Sequence, residues 1–536
     1  MEHILRGYDY VIVGAGSAGC VLANRLSASP EVKVLLLEAG GSDNSWRVRM
    51  PLGFVSILAG SDLDWGYETE PEQGLDGRQL YCPAGRVIGG SSSINGMLHV
   101  RGHSQDFDDW VEQGCSGWGA HELLPCFKRS ETFLGPKADH RGDAGPLLIA
   151  PSSSKQPLDR AFLDAGLELG IDACPDFNAP GAEGIGSYDR AIVDGERFSA
   201  ARGYLMPAWS RPNLTVLTGA KACSILMCGS TVTGVEFAWH GDRHTVHADQ
   251  EVVISAGAIG SPQLLQLSGI GDPDWLAQAD VRCRHALPAV GKGLKNHIEA
   301  VVQCRARRPI AVHRQAVGLS KYLSGTRWFM DRRGLCATNH WETGALLRTQ
   351  GAHHPDVQLI FTPIALSPGS LQPTRWDGYQ IHAGFQKPQS AGQVRIRAPD
   401  TLAPPCVQLE FLRIDADRAR LAQAVTMARE LLNASAFDEF RAEEMLPGAD
   451  IKTTPDLEHW LTRYAENSYH LSSSCRMGSP DNPDAVVDPS CHVLGLDRLR
   501  IVDASIMPDI ISTNTHATVV AVAERAAALL QQDVAR

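Results

Sequence analysis

The chain has 536 residues, 43% hydrophobic and 21% charged, with 51 Gly and 31 Pro, proportions that exclude a disordered, collagen-like or coiled-coil protein. Lys and Arg total 49 against 61 acids, a formal net charge of -12, which argues against nonspecific attraction to nucleic acid or anionic lipid. The 13 cysteines are scattered, with neither a Cys-x-x-Cys pair nor zinc spacing; no metal site or disulfide framework is expected, and reduced thiols fit a cytoplasmic protein.

The first forty residues read as strand, glycine turn, helix and strand: Tyr8 to Val13, Gly14 to Gly19, a helix to about Leu26, and Val32 to Leu37. The continuous apolar runs in both strands suit a parallel sheet covered on both faces. From Gly40 to Gly102 the chain is rich in Gly, Ser, Pro and Asp with little periodicity, and is read as a segment that wraps a ligand. Asn213 to Ala248 shows short alternating strands broken at Gly229-Ser230 and His240-Gly241-Asp242, the pattern of an antiparallel meander. Glu251 to Ser255 resumes an apolar strand that leads to a helix around Gln263 to Leu267.

Strand candidates then fall at Val357 to Thr362, Tyr379 to Phe385 and Gln393 to Arg397, followed by a helical stretch near Asp417 to Leu432. Their alternating polarity predicts a second, antiparallel sheet with one face on helices and the other partly open. Leu499 to Val502 and Thr518 to Leu530 return to strand and helix. No apolar run approaches the ~18 residues needed to span a bilayer. The fold class is thus α/β: a Rossmann-like dinucleotide-binding domain from residues 1–155, 199–299 and 467–536, with an inserted antiparallel α+β substrate domain from 156–198 and 300–466.

Gly14-x-Gly16-x-x-Gly19 lies between strand and helix, where glycines permit a tight turn and close approach of a pyrophosphate to the helix N-terminus. Glu38 ends the next strand, positioned to accept the hydroxyls of an adenosine ribose. The long wrapping segment points to a tightly enclosed flavin rather than an exchanging nicotinamide.

The stretch Gly85-Arg86-Val87-Ile88-Gly89-Gly90-Ser91-Ser92-Ser93-Ile94-Asn95-Gly96-Met97, and the later Gly257 to Gly271, closely resemble the two signature segments of the glucose-methanol-choline oxidoreductase family. The resemblance extends through Ser199 to Tyr204 and Val502 to Pro508. It implies bound FAD, with Glu38 on the ribose, Asn95, Gly96, Met97 and Leu98 beside the isoalloxazine, Ala222 near the adenine, and Asp503 with Ala504 near the pyrophosphate and ribitol. The candidate cofactor set is completed by Gly14, Gly16, Ser17, Ala18, Gly19, Ala39, Trp65, Arg86, Gly90, Ser91, Thr515 and Thr518. Some members tether FAD through a histidine where this chain has Ile94, so noncovalent FAD is expected.

His470, in Ser468 to Gly478, and His516, in Asn514 to Thr518, match the family's active-site pair. Leu471, Ser473 and Ser474 stand where the family usually has Pro, Gly and Thr. Alcohol oxidation needs a base for the hydroxyl proton, and a neutral imidazole suits that role. His516 follows Ser512, Thr513 and Asn514 at a helix start, where the positive end of the dipole favours its neutral form. His340 and Trp341, in Asn339-His340-Trp341-Glu342, are candidate substrate-pocket residues. The expected reaction is oxidation of an alcohol, a primary one being favoured, to the aldehyde, with oxygen or a quinone-like acceptor completing the cycle. The alternative is an FAD-containing lyase of the same fold, such as a hydroxynitrile lyase.

Overall fold

Five short parallel strands organise one half of the molecule, whose computed structural model describes residues 7–152 and 156–534. In spatial order they are Leu214–Thr218, Val34–Glu38, Tyr8–Val13, the end of Asp242–Ile254, and Leu499–Ile501. Val34–Glu38 is buried at every position, as its apolar run requires. The strands Thr231–Trp239 and Lys221–Cys228 extend the sheet antiparallel from the first part of Asp242–Ile254, giving seven strands in all.

One expectation is corrected here: Leu214–Thr218 is not part of the meander. It pairs in parallel with Val34–Glu38. The cause is Asn213, whose side-chain amide donates to the carbonyl oxygens of Ser27, Ser29 and Val32, pinning the strand start beside the preceding turn.

Helix Ser17–Leu26 lies against the C-terminal helix His516–Val534, which also packs on Ala120–Ser130. Buried Glu524 joins the three: Arg25 and Arg129 approach it at 2.6 and 2.9 Å, and the Tyr204 hydroxyl donates to it at 2.6 Å. Between the first strand and helix, Gly14 has φ +101°, and a Cβ there would stand 2.5 Å from the Ser255 carbonyl oxygen. No other residue satisfies both demands.

The second sheet has eight strands. Its main path runs Arg441–Leu446, Ile298–Ala306, Gly378–Phe385, Val357–Thr362, Thr343–Leu347, Gly184–Ser187 and Ala173–Cys174, and Glu466–Asn467 also pairs with Ile298–Ala306. All pairings are antiparallel except the last of the main path. Helices Asp415–Asn433 and Pro157–Glu168 cover one face, burying Ala300, Leu359, Ile381 and Ala383. Alternation turns Glu299, Ile360 and His382 to the other side, where they line a cleft. The expected strand at Gln393 to Arg397 belongs elsewhere: Gly392–Arg395 forms a separate three-stranded sheet with Lys292–Leu294 and Cys406–Gln408.

The cleft opens where the C-terminal ends of the parallel strands, at Val13, Glu38 and Ser255, meet the open face of the second sheet, the usual ligand position in open α/β sheets. Among the described residues, no helix is long and apolar enough to cross a membrane, and no group of three or more His, Cys, Asp or Glu side chains could hold a metal ion.

Candidate active site

The cleft encloses about 2390 Å³ with its mouth included. One end is built on the glycine turn. Gly16 is the N-cap of Ser17–Leu26, no side chain caps that terminus and no acid lies in its first turn, so the first-turn N–H groups remain available to a phosphate. Glu38 accepts from the N–H of Ala15 at 2.8 Å and of Gly40 at 2.7 Å, one to each carboxylate oxygen. Burial pushes its pKa up to about 7, against the pull of those N–H groups and of Arg86. Trp65 stacks on Tyr67 with centroids 5.9 Å apart, and both Lys221 and Arg86 place cations over its ring.

The other end is built on histidines. The His297 Nε2 lies 2.7 Å from the Ile511 carbonyl oxygen, which can only accept. That nitrogen therefore carries the proton, and burial holds the His297 pKa well below its ordinary value, so the ring is neutral and Nδ1 is a lone pair. His470 Nδ1 is 2.9 Å away and must be the donor. Nε2 of His470 is left as the free base, and it receives the Asn514 amide N–H at 3.0 Å. Gln358 donates to Asn514 Oδ1 at 2.9 Å, which fixes which end of the amide faces the imidazole. The His470 pKa is depressed to about 4, mainly by burial.

His516 begins its helix, as its flanking residues predict. Burial, then His99 and Arg197, depress its pKa to about 3, so it too is neutral near pH 7. Its Nε2 is buried without a hydrogen-bond partner among the described residues. Beside these rings Glu299 accepts from His382 Nδ1 and from the Ser468 hydroxyl, both at 2.7 Å. Burial opposes its charge, but His382 and Ser468 outweigh that and hold the carboxyl below its ordinary range. Tyr469 and Trp341 line the same cleft.

A glycine turn, an acid on the second strand and a neutral imidazole pair sharing one cleft form a specific combination, and sequence comparison reads it the same way. The GMC oxidoreductase N-terminal family model matches residues 8–299 and the C-terminal one residues 388–523. The chain belongs to the GMC oxidoreductase family. It is 43% identical over 526 residues to the oxygen-dependent choline dehydrogenase of Vibrio vulnificus (strain YJ016), covering 98% of this chain and 94% of the relative. It is 40% identical to the mitochondrial choline dehydrogenase of Homo sapiens, covering 98% and 90%. Among solved structures it resembles pyridoxine 4-oxidase from Mesorbium loti, with TM-score 0.90, 32% identity and coverage of 98% and 99%. The protein is an FAD-dependent alcohol oxidoreductase.

Most of the residues expected at the cofactor line the cleft of this GMC enzyme: Gly14, Gly16, Ser17, Ala18, Glu38, Ala39, Trp65, Gly90, Ser91, Asn95, Gly96, Met97, Leu98, Ala222, Asp503, Ala504 and Thr515, together with His470, His516 and Trp341. Gly96 is required because a Cβ would meet the Trp341 ring at 2.1 Å. Gly19, Arg86, Thr518 and His340 do not line it. A Cβ at Gly19 would meet the Gly14 carbonyl oxygen at 1.9 Å, so that glycine serves the helix-strand contact. Arg86 sits behind Trp65, its guanidinium carbon 5.1 Å from the ring centre. Thr518 is fully buried in the helix. His340 turns away, its Nε2 2.9 Å from the Leu335 carbonyl oxygen, and borders a separate cavity with Arg190 and Glu342. Ser473, where the family usually has glycine, adopts φ 68°, so the left-handed backbone is kept without the glycine.

Sequence reading missed His297, Glu299, Gln358, His382, Lys221 and Asn514. Asn296-His297-Ile298-Glu299 carried a signal, two chemically capable side chains where the strand Ile298–Ala306 begins, but no partner for them was visible in the chain.

Proposed function

We propose that the enzyme oxidises a primary alcohol bearing a cationic ammonium group, of which choline is the simplest probe, to the aldehyde. The observation that carries this is the hydrogen-bond chain from Ile511 through His297 to His470, which leaves His470 Nε2 unprotonated and facing the cleft. His470 takes the hydroxyl proton at that nitrogen, where the alcohol competes with the Asn514 amide. His516 offers its unpartnered Nε2 to the same oxygen. FAD, when bound, supplies the acceptor for the carbinol hydride. Its pyrophosphate would lie at the uncapped first turn of Ser17–Leu26 and its ribose at Glu38. Ile94, which lines the cleft in the first signature segment, has no group that bonds to a flavin, which supports noncovalent binding.

The cationic group is inferred from Glu299, a carboxylate held ionised in the cleft with Tyr469 and Trp341 beside it. The choline dehydrogenases among the relatives support the same class, and the oxygen dependence of the bacterial ones supports oxygen as an acceptor. The division into a cofactor domain of 1–155, 199–299 and 467–536 and a substrate domain of 156–198 and 300–466 remains our assignment; the two main sheets follow it except that Ile298–Ala306 and Glu466–Asn467 of the second sheet straddle its bounds. The 13 unpaired cysteines, all but Cys228 and Cys283 buried, support a reducing compartment, and the cytoplasm is our assignment.

The test is anaerobic mixing of the FAD-loaded enzyme with choline and with its uncharged isostere 3,3-dimethylbutan-1-ol. Choline should bleach the flavin absorbance, and the isostere should require at least about tenfold more for half-saturation. Bleaching by neither alcohol would reject the oxidation of this substrate class and favour a lyase; equal saturation by both would reject the cationic group.

A further inference from the structure

Helix Ser320–Asp331 is inside out. A surface helix ordinarily turns its apolar stripe to the core and its polar face to water. Here the buried positions are Ser324 and Trp328, whereas Leu319 is 82% exposed, Tyr322 65%, Leu323 71%, Phe329 54% and Met330 82%. The spacing from 319 to 322/323 and on to 329/330 puts these side chains on one face. Trp46 joins them, 45% exposed, its ring edge-on to Phe329 with centroids 6.1 Å apart. Single exposed apolar side chains need no explanation, but a contiguous set of six marks a binding surface.

The charge around this stripe names the partner. Residues 309–334 carry Arg314, Lys321, Arg327 and Arg333 against the single acid Asp331, with Arg332 paired to Glu196, in a chain whose net charge is -12. Arg314, Lys321, Arg327 and Arg333 are exposed. An apolar ridge rimmed by cations fits the boundary between acyl chains and anionic headgroups. A second copy of this chain fits poorly, since a two-fold contact would set the basic rim against itself.

We propose that this helix docks the enzyme on a bilayer surface containing anionic lipid, with the stripe from Leu319 to Met330 in the interfacial layer and the basic side chains at the headgroups. On its inner side Trp328 packs against Met50 and Leu52, and the short helix that follows, Phe54–Leu58, carries Phe54 and Leu58 in the lining of the catalytic cleft. The docking face therefore backs onto one wall of the active site.

The experiment is co-sedimentation of the FAD-loaded enzyme with vesicles of phosphatidylcholine plus phosphatidylglycerol, and of phosphatidylcholine alone. The parent should pellet with the anionic vesicles, at least about tenfold more weakly with the neutral ones, and lose that preference at high salt. Leu323→Ser combined with Phe329→Ser and Met330→Ser should lower partitioning by about tenfold or more per side chain. Lys321→Glu with Arg327→Glu should abolish the preference for anionic lipid. All are solvent-facing positions, so turnover of a water-soluble alcohol without vesicles and the melting temperature should match the parent. No pelleting by the parent, or parent-like pelleting of the triple variant, would overturn the proposal. So would sedimentation velocity that finds a dimer broken by the triple variant, since the face would then belong to a second copy.

Discussion

The nucleotide end and the catalytic end of the cleft are built in opposite ways. At the nucleotide end Gly14, Gly16, Ser17 and Glu38 come from one strand-turn-helix-strand unit whose geometry is local. At the catalytic end His297, Gln358, His470 and Asn514 come from four separated segments, and none of them has a defined tautomer or orientation without the others. Hydrogen-bond direction is propagated there: a backbone carbonyl at Ile511 decides the state of His297, and His297 decides His470. A damaged nucleotide end should lose cofactor, whereas a damaged catalytic end should keep cofactor and lose rate.

The contrast is broken most sharply by His470→Ala. Anaerobic flavin reduction should slow by about 10²- to 10⁴-fold while the FAD content of the purified protein stays that of the parent; a variant that reduces at the parental rate would remove His470 from the reaction. Gly14→Ala attacks the other end. With φ +101° and only 2.5 Å to the Ser255 carbonyl oxygen, the added methyl should cost several kcal/mol and empty the site, read as a lowered flavin-to-protein absorbance ratio. A parental ratio would mean that the turn yields more than the geometry allows.

Glu299→Gln should act only on recognition. KM for choline is expected to rise by about tenfold or more with little change for the uncharged isostere; a parallel loss for both alcohols would make Glu299 a support for His382 and Ser468 instead. The smallest effect is on stability. His470 and His516 have folded pKa values of about 4 and about 3, below the unfolded value of about 6.5. Between those limits the unfolded chain binds more protons, so stability falls as pH drops from about 6.5 toward 4 and is regained as pH rises. Each group contributes up to about 1.4 kcal/mol per pH unit. Denaturant titrations of the parent and His470→Gln across that window should differ in slope by about this amount; identical slopes would mean that the imidazole is not buried as described.

The basic segment 309–334 around helix Ser320–Asp331 adds a lesson about averages. The whole-chain charge of -12 argues against anionic lipid, yet charge acts locally within a Debye length of about 8 to 10 Å, and one exposed segment reverses the sign.

Legibility in the sequence followed how local each feature is. The first βαβ unit, the strand Val357–Thr362 and the helix beginning at His516 are set by apolar periodicity, capping residues and glycine positions within a few residues of one another, so they could be read directly. The same was true of many cleft-lining positions, because the family's signature segments are contiguous. The partner of Leu214–Thr218, the separate sheet holding Gly392–Arg395, the turning away of His340 and the gathering of His297, Glu299, Gln358 and Asn514 around His470 depend on which distant strands lie side by side. A sequence fixes what each side chain can donate or accept, but the direction of a hydrogen bond in a buried chain is decided only when the last acceptor, here a main-chain carbonyl, is in place.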